Sequence, residues 1–122
     1  MKYINVHSHS SSEKEAVLEI VNQYPKEFIN DENYFSIGIH PWYIDENASE
    51  YELQIIEEKL QLEKCLALGE CGLDKRRETP LEVQIAVFEA QLLLAEKYRK
   101  PIIIHCVAAF QEVIALKQKL KI

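Results

Sequence analysis

The sequence predicts a parallel α/β fold in which strand and helix alternate. Two observations carry that prediction. Short apolar runs of strand length alternate four times with longer segments whose apolar residues recur at helical spacing. The third run, Cys65-Leu66-Ala67-Leu68-Gly69, is apolar throughout, the pattern of a strand buried on both faces. The order βαβαβαβα makes four βα units over residues 1–122, read as one domain. Four such units form either half of an eight-stranded barrel, whose usual length is about 250 residues, or a small open sheet.

Each element has its own signal. Tyr3-Ile4-Asn5-Val6 is the first strand. A helix is expected from about Ser12, where Ser12 and Glu15 have capping-box spacing. Ala16, Val17, Ile20, Val21 and Tyr24 share one helical face, and Pro25 marks the exit. Tyr34 to Ile39 is the second strand. Ser49, with Glu52 behind it, is expected to cap a second helix whose inward stripe is Leu53, Ile56 and Leu60. After the third strand, Thr79-Pro80-Leu81-Glu82 combines a cap, an early proline and a boxed glutamate. Ile85, Phe88, Leu92 and Ala95 form the stripe of the helix that follows. Pro101 to Ile104 is the fourth strand, and Phe110, Val113, Ile114, Leu116 and Leu120 belong to the last helix.

Composition narrows the function. At 48% hydrophobic and 28% charged residues, the chain has material for a core, which excludes a disordered segment. No stretch approaches the roughly 20 apolar residues of a membrane span, and the N-terminus turns polar too early for a signal peptide. A cytoplasmic protein is therefore expected. Cys65, Cys71 and Cys106 have no paired spacing, and the expectation is reduced, buried thiols rather than ligands. A net charge of −6 excludes a module that binds nucleic acid by electrostatics alone. It leaves open a metalloenzyme in which bound cations supply positive charge locally.

The polar residues then fall in one place. His7 and His9 follow the first strand, His40 the second, Glu70 the third and His105 the fourth. All four histidines thus lie at C-terminal strand ends, the rim on which parallel α/β folds build their sites. His7 and His9 are two residues apart and point the same way from extended backbone, so both imidazoles can reach one ion. A carboxylate at Glu70, set between Gly69 and Gly72, is favoured beside a cation because burial without one is costly. Asp74 either orients a ligand or holds the loop. Pro41 holds His40 extended, where it contacts substrate or metal. Trp42 either stacks on a base or sugar or packs beneath the loop. Lys75-Arg76-Arg77 is either a solvated run or a contact for a substrate phosphate.

These pieces together resemble the TatD family of metal-dependent deoxyribonucleases and hydrolases. The resemblance rests on Asn5-Val6-His7-Ser8-His9, Gly38-Ile39-His40-Pro41, Leu68-Gly69-Glu70-Cys71-Gly72-Leu73-Asp74, the Gln84–Ala95 segment with Phe88 and Gln91, and Pro101 to His105. It implies the N-terminal half of a TIM-like (β/α)8 barrel with one or two divalent ions, Mg, Mn or Zn. By that pattern His7 and His9 hold the first metal, Glu70 bridges both and is the catalytic residue, and His105 holds the second. His40 is similar to the family's histidine near the substrate phosphate; Lys75 and Arg76 are candidate substrate contacts by their place on the same rim, not by the family pattern. The implied substrate is DNA or another phosphoester, hydrolysed while cations neutralise charge on the phosphate oxygens.

The sequence departs from the family pattern in two places: Asn5 stands where an aspartate is usual, and Cys106-Val107 follows His105 where many relatives carry an arginine two residues after the histidine. The family's remaining metal histidine and catalytic aspartate have no counterpart after His105, so the chain is expected to be a fragment lacking the second half of the barrel. Two alternatives stand beside the nuclease. One is a phosphoesterase or amidohydrolase acting on a small substrate, since both use an N-terminal His-x-His. The other is a metal-binding fragment without turnover.

Overall fold

The computed structural model describes the backbone of residues 3–8 and 17–19 and the whole of residues 20–121. Five strands form one sheet, β1 (Tyr3–Ser8), β2 (Val17–Gln23), β3 (Tyr34–Ile37), β4 (Cys65–Asp74) and β5 (Ile102–Val107), in the spatial order β1-β2-β3-β4-β5. Every neighbouring pair is parallel. Helices α1 (Ser49–Leu60), α2 (Leu81–Tyr98) and α3 (Phe110–Leu120) follow β3, β4 and β5. A sequential parallel order with helical crossovers matches the predicted class, part of a TIM-like barrel.

The count of four βα units is corrected. Val17–Gln23, expected on a helix, is a strand paired on both sides, so five strands stand where four were predicted. A short apolar run satisfies either period, and Val17, Ile20 and Val21 are β-branched, which favours the extended form. Pairing with β1 and β3 completes the preference. The expected capping box at Ser12 and Glu15 lies outside the described residues.

The later elements follow their signals more closely, with different ends. β4 runs through Asp74 and β5 through Val107, so Glu70, Asp74 and His105 lie within strands rather than after them. Neither predicted side-chain cap forms. Ser49 Oγ donates instead to the Asp45 carbonyl at 2.9 Å, and the Thr79 carbonyl accepts from Gln84. Ile56, Leu60, Phe88, Leu92 and Ala95 are buried against Ile37, Leu68 and Leu73, as the stripes require. α3 covers the residues expected on the last helix; Leu116 on it is buried, whereas Phe110 and Ile114 are exposed. Among the described strands β5 has one neighbour, and Ile104 on it is likewise exposed.

Two irregularities shape β4. Gly69 pairs with Ile103 and Cys71 with Ile104, so Glu70 is an extra residue in its strand, a bulge. At Gly72, φ is +146°, and a Cβ there would sit 2.0 Å from the His105 carbonyl oxygen. A glycine is required because β5 passes directly over that position.

Candidate active site

The bulge accounts for where Glu70 points. Its N–H leaves the regular ladder and donates to Asn22 Oδ1 at 2.9 Å, from β2 two strands away. Asn22 is buried and its Oδ1 also accepts from Ser36 Oγ, so the strand end is held from the sheet itself. A bulged residue beside a site re-aims its side chain. Here the carboxylate lies between two imidazoles: Oε1 is 3.2 Å from His40 Nε2 and Oε2 is 3.1 Å from His105 Nδ1. Nitrogen and oxygen atoms of these three residues lie within 4.8 Å of one another.

Hydrogen bonds assign different roles to the two rings. His40 Nδ1 accepts the Trp42 backbone N–H at 3.1 Å. That leaves the His40 proton on Nε2, which donates to Glu70. His40 therefore presents an N–H, suited to an oxyanion rather than to a cation. For His105 the pattern is reversed. Its Nε2 is 3.1 Å from Asp74 Oδ2, a carboxylate that can only accept, so Nε2 carries hydrogen. In the neutral ring its Nδ1 then turns a lone pair toward Glu70 Oε2. Two acceptors 3.1 Å apart require positive charge between them, either a proton on Nδ1 or a bound cation. A carboxylate–imidazole pair with a second carboxylate behind the imidazole is a common way of orienting a metal-binding histidine. The donor set therefore fits a divalent ion.

Asp74 is fully buried and ionised. Burial pushes its carboxyl up, but hydrogen bonds from Trp42, His105 and Arg76 outweigh that and hold it well below the usual carboxylate range. Trp42 Nε1 donates to Oδ2 at 2.8 Å and the Arg76 N–H to Oδ1 at 2.9 Å. The Arg77 guanidinium lies over the Trp42 ring, 4.8 Å from its centre. Trp42 is thus a bracket for Asp74 as well as a half-exposed ring.

Two glutamines hold the rim in place. Gln91 Oε1 accepts the Ile39 N–H at 2.7 Å and its Nε2 donates to the Ile39 carbonyl at 3.3 Å, one residue before His40. Gln84 treats Asp74 in the same way, at 2.8 and 3.1 Å. Each side-chain amide pairs like an added strand at a strand end. Seven residues apart, the two share one face of α2, and both are essentially fully buried. Polar residues on an otherwise apolar stripe were the sequence signal for this role.

Of the residues expected at the site, Glu70, His40 and His105 come together. His9 and the side chain of His7 lie outside the described residues. Lys75 is turned to α3, with Nζ 2.6 Å from Glu112 Oε2. The Arg76 side chain is largely exposed at the rim, with Nε 3.5 Å from Asp74 Oδ1. Cys65 and Cys71 are buried, Cys71 packing in the core rather than facing the cluster.

Residues 1–121 match the family described as TatD related DNase. The chain belongs to that family. TatD-family relatives include a 3′-5′ ssDNA/RNA exonuclease TatD from Edwardsiella piscicida, 36% identical over 107 residues. The alignment covers 86% of this chain and 38% of that protein. The 3′-5′ RNA nuclease TATDN2 of Homo sapiens is 34% identical over 86 residues, covering 69% of this chain and 11% of its own length. An uncharacterized metal-dependent hydrolase, YabD of Bacillus subtilis, is 36% identical over 101 residues, covering 81% and 36%. The chain matches between 26% and 38% of the length of its bacterial TatD-family relatives. No described helix is long and apolar enough to cross a membrane.

Proposed function

We propose that this chain supplies the N-terminal share of the active site of a metal-dependent phosphodiesterase that removes nucleotides from single-stranded DNA or RNA ends. The observation that carries the reading is His105 Nδ1 facing Glu70 Oε2 at 3.1 Å, a contact that needs positive charge between the two atoms, with Asp74 accepting from Nε2 behind the ring. Glu70 and His105 are the proposed metal ligands, joined by His7 and His9. Mg, Mn or Zn each suits carboxylate and imidazole donors, in one or two sites. When bound, the cation would polarise the phosphate and activate water.

The protein's own groups do the rest. Glu70 is the central ligand and the proposed catalytic residue. His40 Nε2–H donates to a phosphate oxygen, taking over the bond it makes to Glu70. Arg76, exposed at the same rim, meets the next phosphate, and Lys75 joins it on leaving Glu112. The proposed domain extends over residues 1–122 and shares its centre with further parts of the whole protein. Unpaired, buried Cys65 and Cys71 suit the reducing cytoplasm in which we place it.

The test uses the full-length protein with Mn and a single-stranded oligonucleotide. Wild type should shorten the substrate from its 3′ end. H105A should lose metal in equilibrium dialysis by about 10–100-fold or more, since the ligand itself is removed. H40A should keep its metal and lose turnover. Unchanged metal content in both H105A and E70Q would sink the proposal.

A further inference from the structure

His40 has a second environment. It lines a cavity of about 450 Å³ formed at the same rim by the turn after β2, the end of β3 and the first turn of α1. That volume lies within the roughly 300–1,000 Å³ of small-molecule pockets. Among the described residues, one side is aromatic. Tyr24 and Tyr43 meet edge to face at 5.5 Å, and Tyr43 tilts over His40 at 5.3 Å. Tyr43 is well exposed, so its ring is accessible.

Another wall is polar. Glu52 lines the cavity although it is 5% exposed, in the first turn of α1. Burial pushes its carboxyl up, against the opposing pull of Lys26. Lys26 Nζ is 3.5 Å from Glu52 Oε1 and 3.3 Å from Asp45 Oδ2. A carboxylate acceptor and an ammonium donor therefore stand side by side in a chamber with aromatic rings. The phosphate chemistry assigned to His40 uses neither of them.

We propose that this cavity is a nucleobase subsite for the nucleotide whose phosphate meets His40, with Tyr43 packing on the base and Glu52 reading its edge. The proposal rests on the nuclease reading. A ring packed on an aromatic side chain gains affinity whatever its sequence, whereas Glu52 introduces selection. Guanine carries two adjacent donors, N1–H and the N2 amine, for one carboxylate, with the O6 acceptor beside them for Lys26. Thymine offers a single N–H between two carbonyls and leaves the carboxylate poorly matched. Guanine is therefore favoured over thymine at the reacting end.

The experiment compares oligonucleotides ending in dG and dT in the full-length protein, as kcat/KM with Mn. Calorimetric titration with 5′-dGMP and 5′-TMP gives a readout without turnover. Wild type should favour dG about tenfold in both measurements, E52Q should bring the ratio close to one, and Y43A should raise KM for both ends about tenfold, in the range of lost stacking. Y43F should resemble wild type. Oligonucleotide hydrolysis whose dG-to-dT ratio is the same in E52Q, or dGMP binding that ignores both E52Q and Y43A, would overturn the subsite while leaving the nuclease intact. Selective, Glu52-dependent dGMP binding without hydrolysis would support the subsite and refute the nuclease.

Discussion

Replacing Gln84 by leucine should destabilise the protein by about 1–5 kcal/mol. Leucine is near in volume, so packing survives and the hydrogen bonds are what is lost. Gln84 accepts the Asp74 N–H at 2.8 Å and donates to the Asp74 and Thr79 carbonyls at 3.1 and 2.8 Å. Both Asp74 groups remain inside, since that residue is 0% exposed, and each buried group left unpaired costs about 1–3 kcal/mol. Thr79 is half-buried, and its carbonyl can turn to water at little cost. The leucine returns part of the loss, about 1 kcal/mol, because an amide no longer has to be taken out of water. Urea unfolding of the full-length protein measures the difference, seen as a lower midpoint at unchanged slope. Q84E separates bonding from volume. It keeps the acceptor, loses both donations and places a second charge near Asp74, so it should cost more than Q84L at neutral pH. A midpoint for Q84L corresponding to less than about 0.5 kcal/mol, the range of ordinary surface changes, would refute the claim that the amide holds this strand end.

Gly72→Ala should cost about 3 kcal/mol or more and move His105, because the new Cβ meets the His105 carbonyl oxygen at 2.0 Å and φ is +146°. Wild-type stability for this variant in the same urea assay would contradict the close passage of β5. Glu57 Oε2 accepts from Lys97 Nζ at 2.7 Å and from Tyr98 Oη at 2.8 Å, bonds that hold its carboxyl below the ordinary value. A depressed folded pKa contributes stability above the unfolded value of about 4.3, and that stability is lost as pH falls through the folded value. The gap in thermal midpoint between wild type and E57Q should therefore close between pH 5 and pH 3, and a constant gap would refute the link. Burial pushes the thiols of Cys65 and Cys71 up, whereas Cys106 is half-buried. A thiol reagent followed by peptide mapping should mark Cys106 first, and early labelling of Cys71 would contradict its place in the core.

Much of the fold was legible because its strands are apolar runs and its later helices carry clean stripes. β4 is buried along nearly its whole length, as Cys65 to Gly69 required. The exception, Val17–Gln23, shows the limit of periodicity. Over seven residues the apolar positions of a helix face and of a doubly paired strand overlap, and the choice was made by partners on either side. α3 lies where its apolar residues placed it, but which of them meet the core depends on packing: Leu116 is buried, whereas Phe110 and Ile114 face outward.

At the site, placing Glu70, His40 and His105 at strand ends was enough to bring them together, because a parallel sheet delivers those ends to one rim. What could not be read was the division of labour. Three polar groups within 4.8 Å look alike as ligands in a list of residue types. The difference lies in what stands behind each ring. Trp42 gives His40 Nδ1 a backbone donor, so the outward nitrogen carries hydrogen. Asp74 gives His105 Nε2 an acceptor, so in the neutral ring the lone pair is on the nitrogen that faces Glu70. Neither fact follows from spacing, since both depend on the short turn at Pro41–Tyr43 and on a bulge that shifts β4 by one residue. The same two contacts explain why one histidine is assigned to the phosphate and the other to the cation. Exchanging their partners would exchange those roles even if every ligand-type residue stayed where it is.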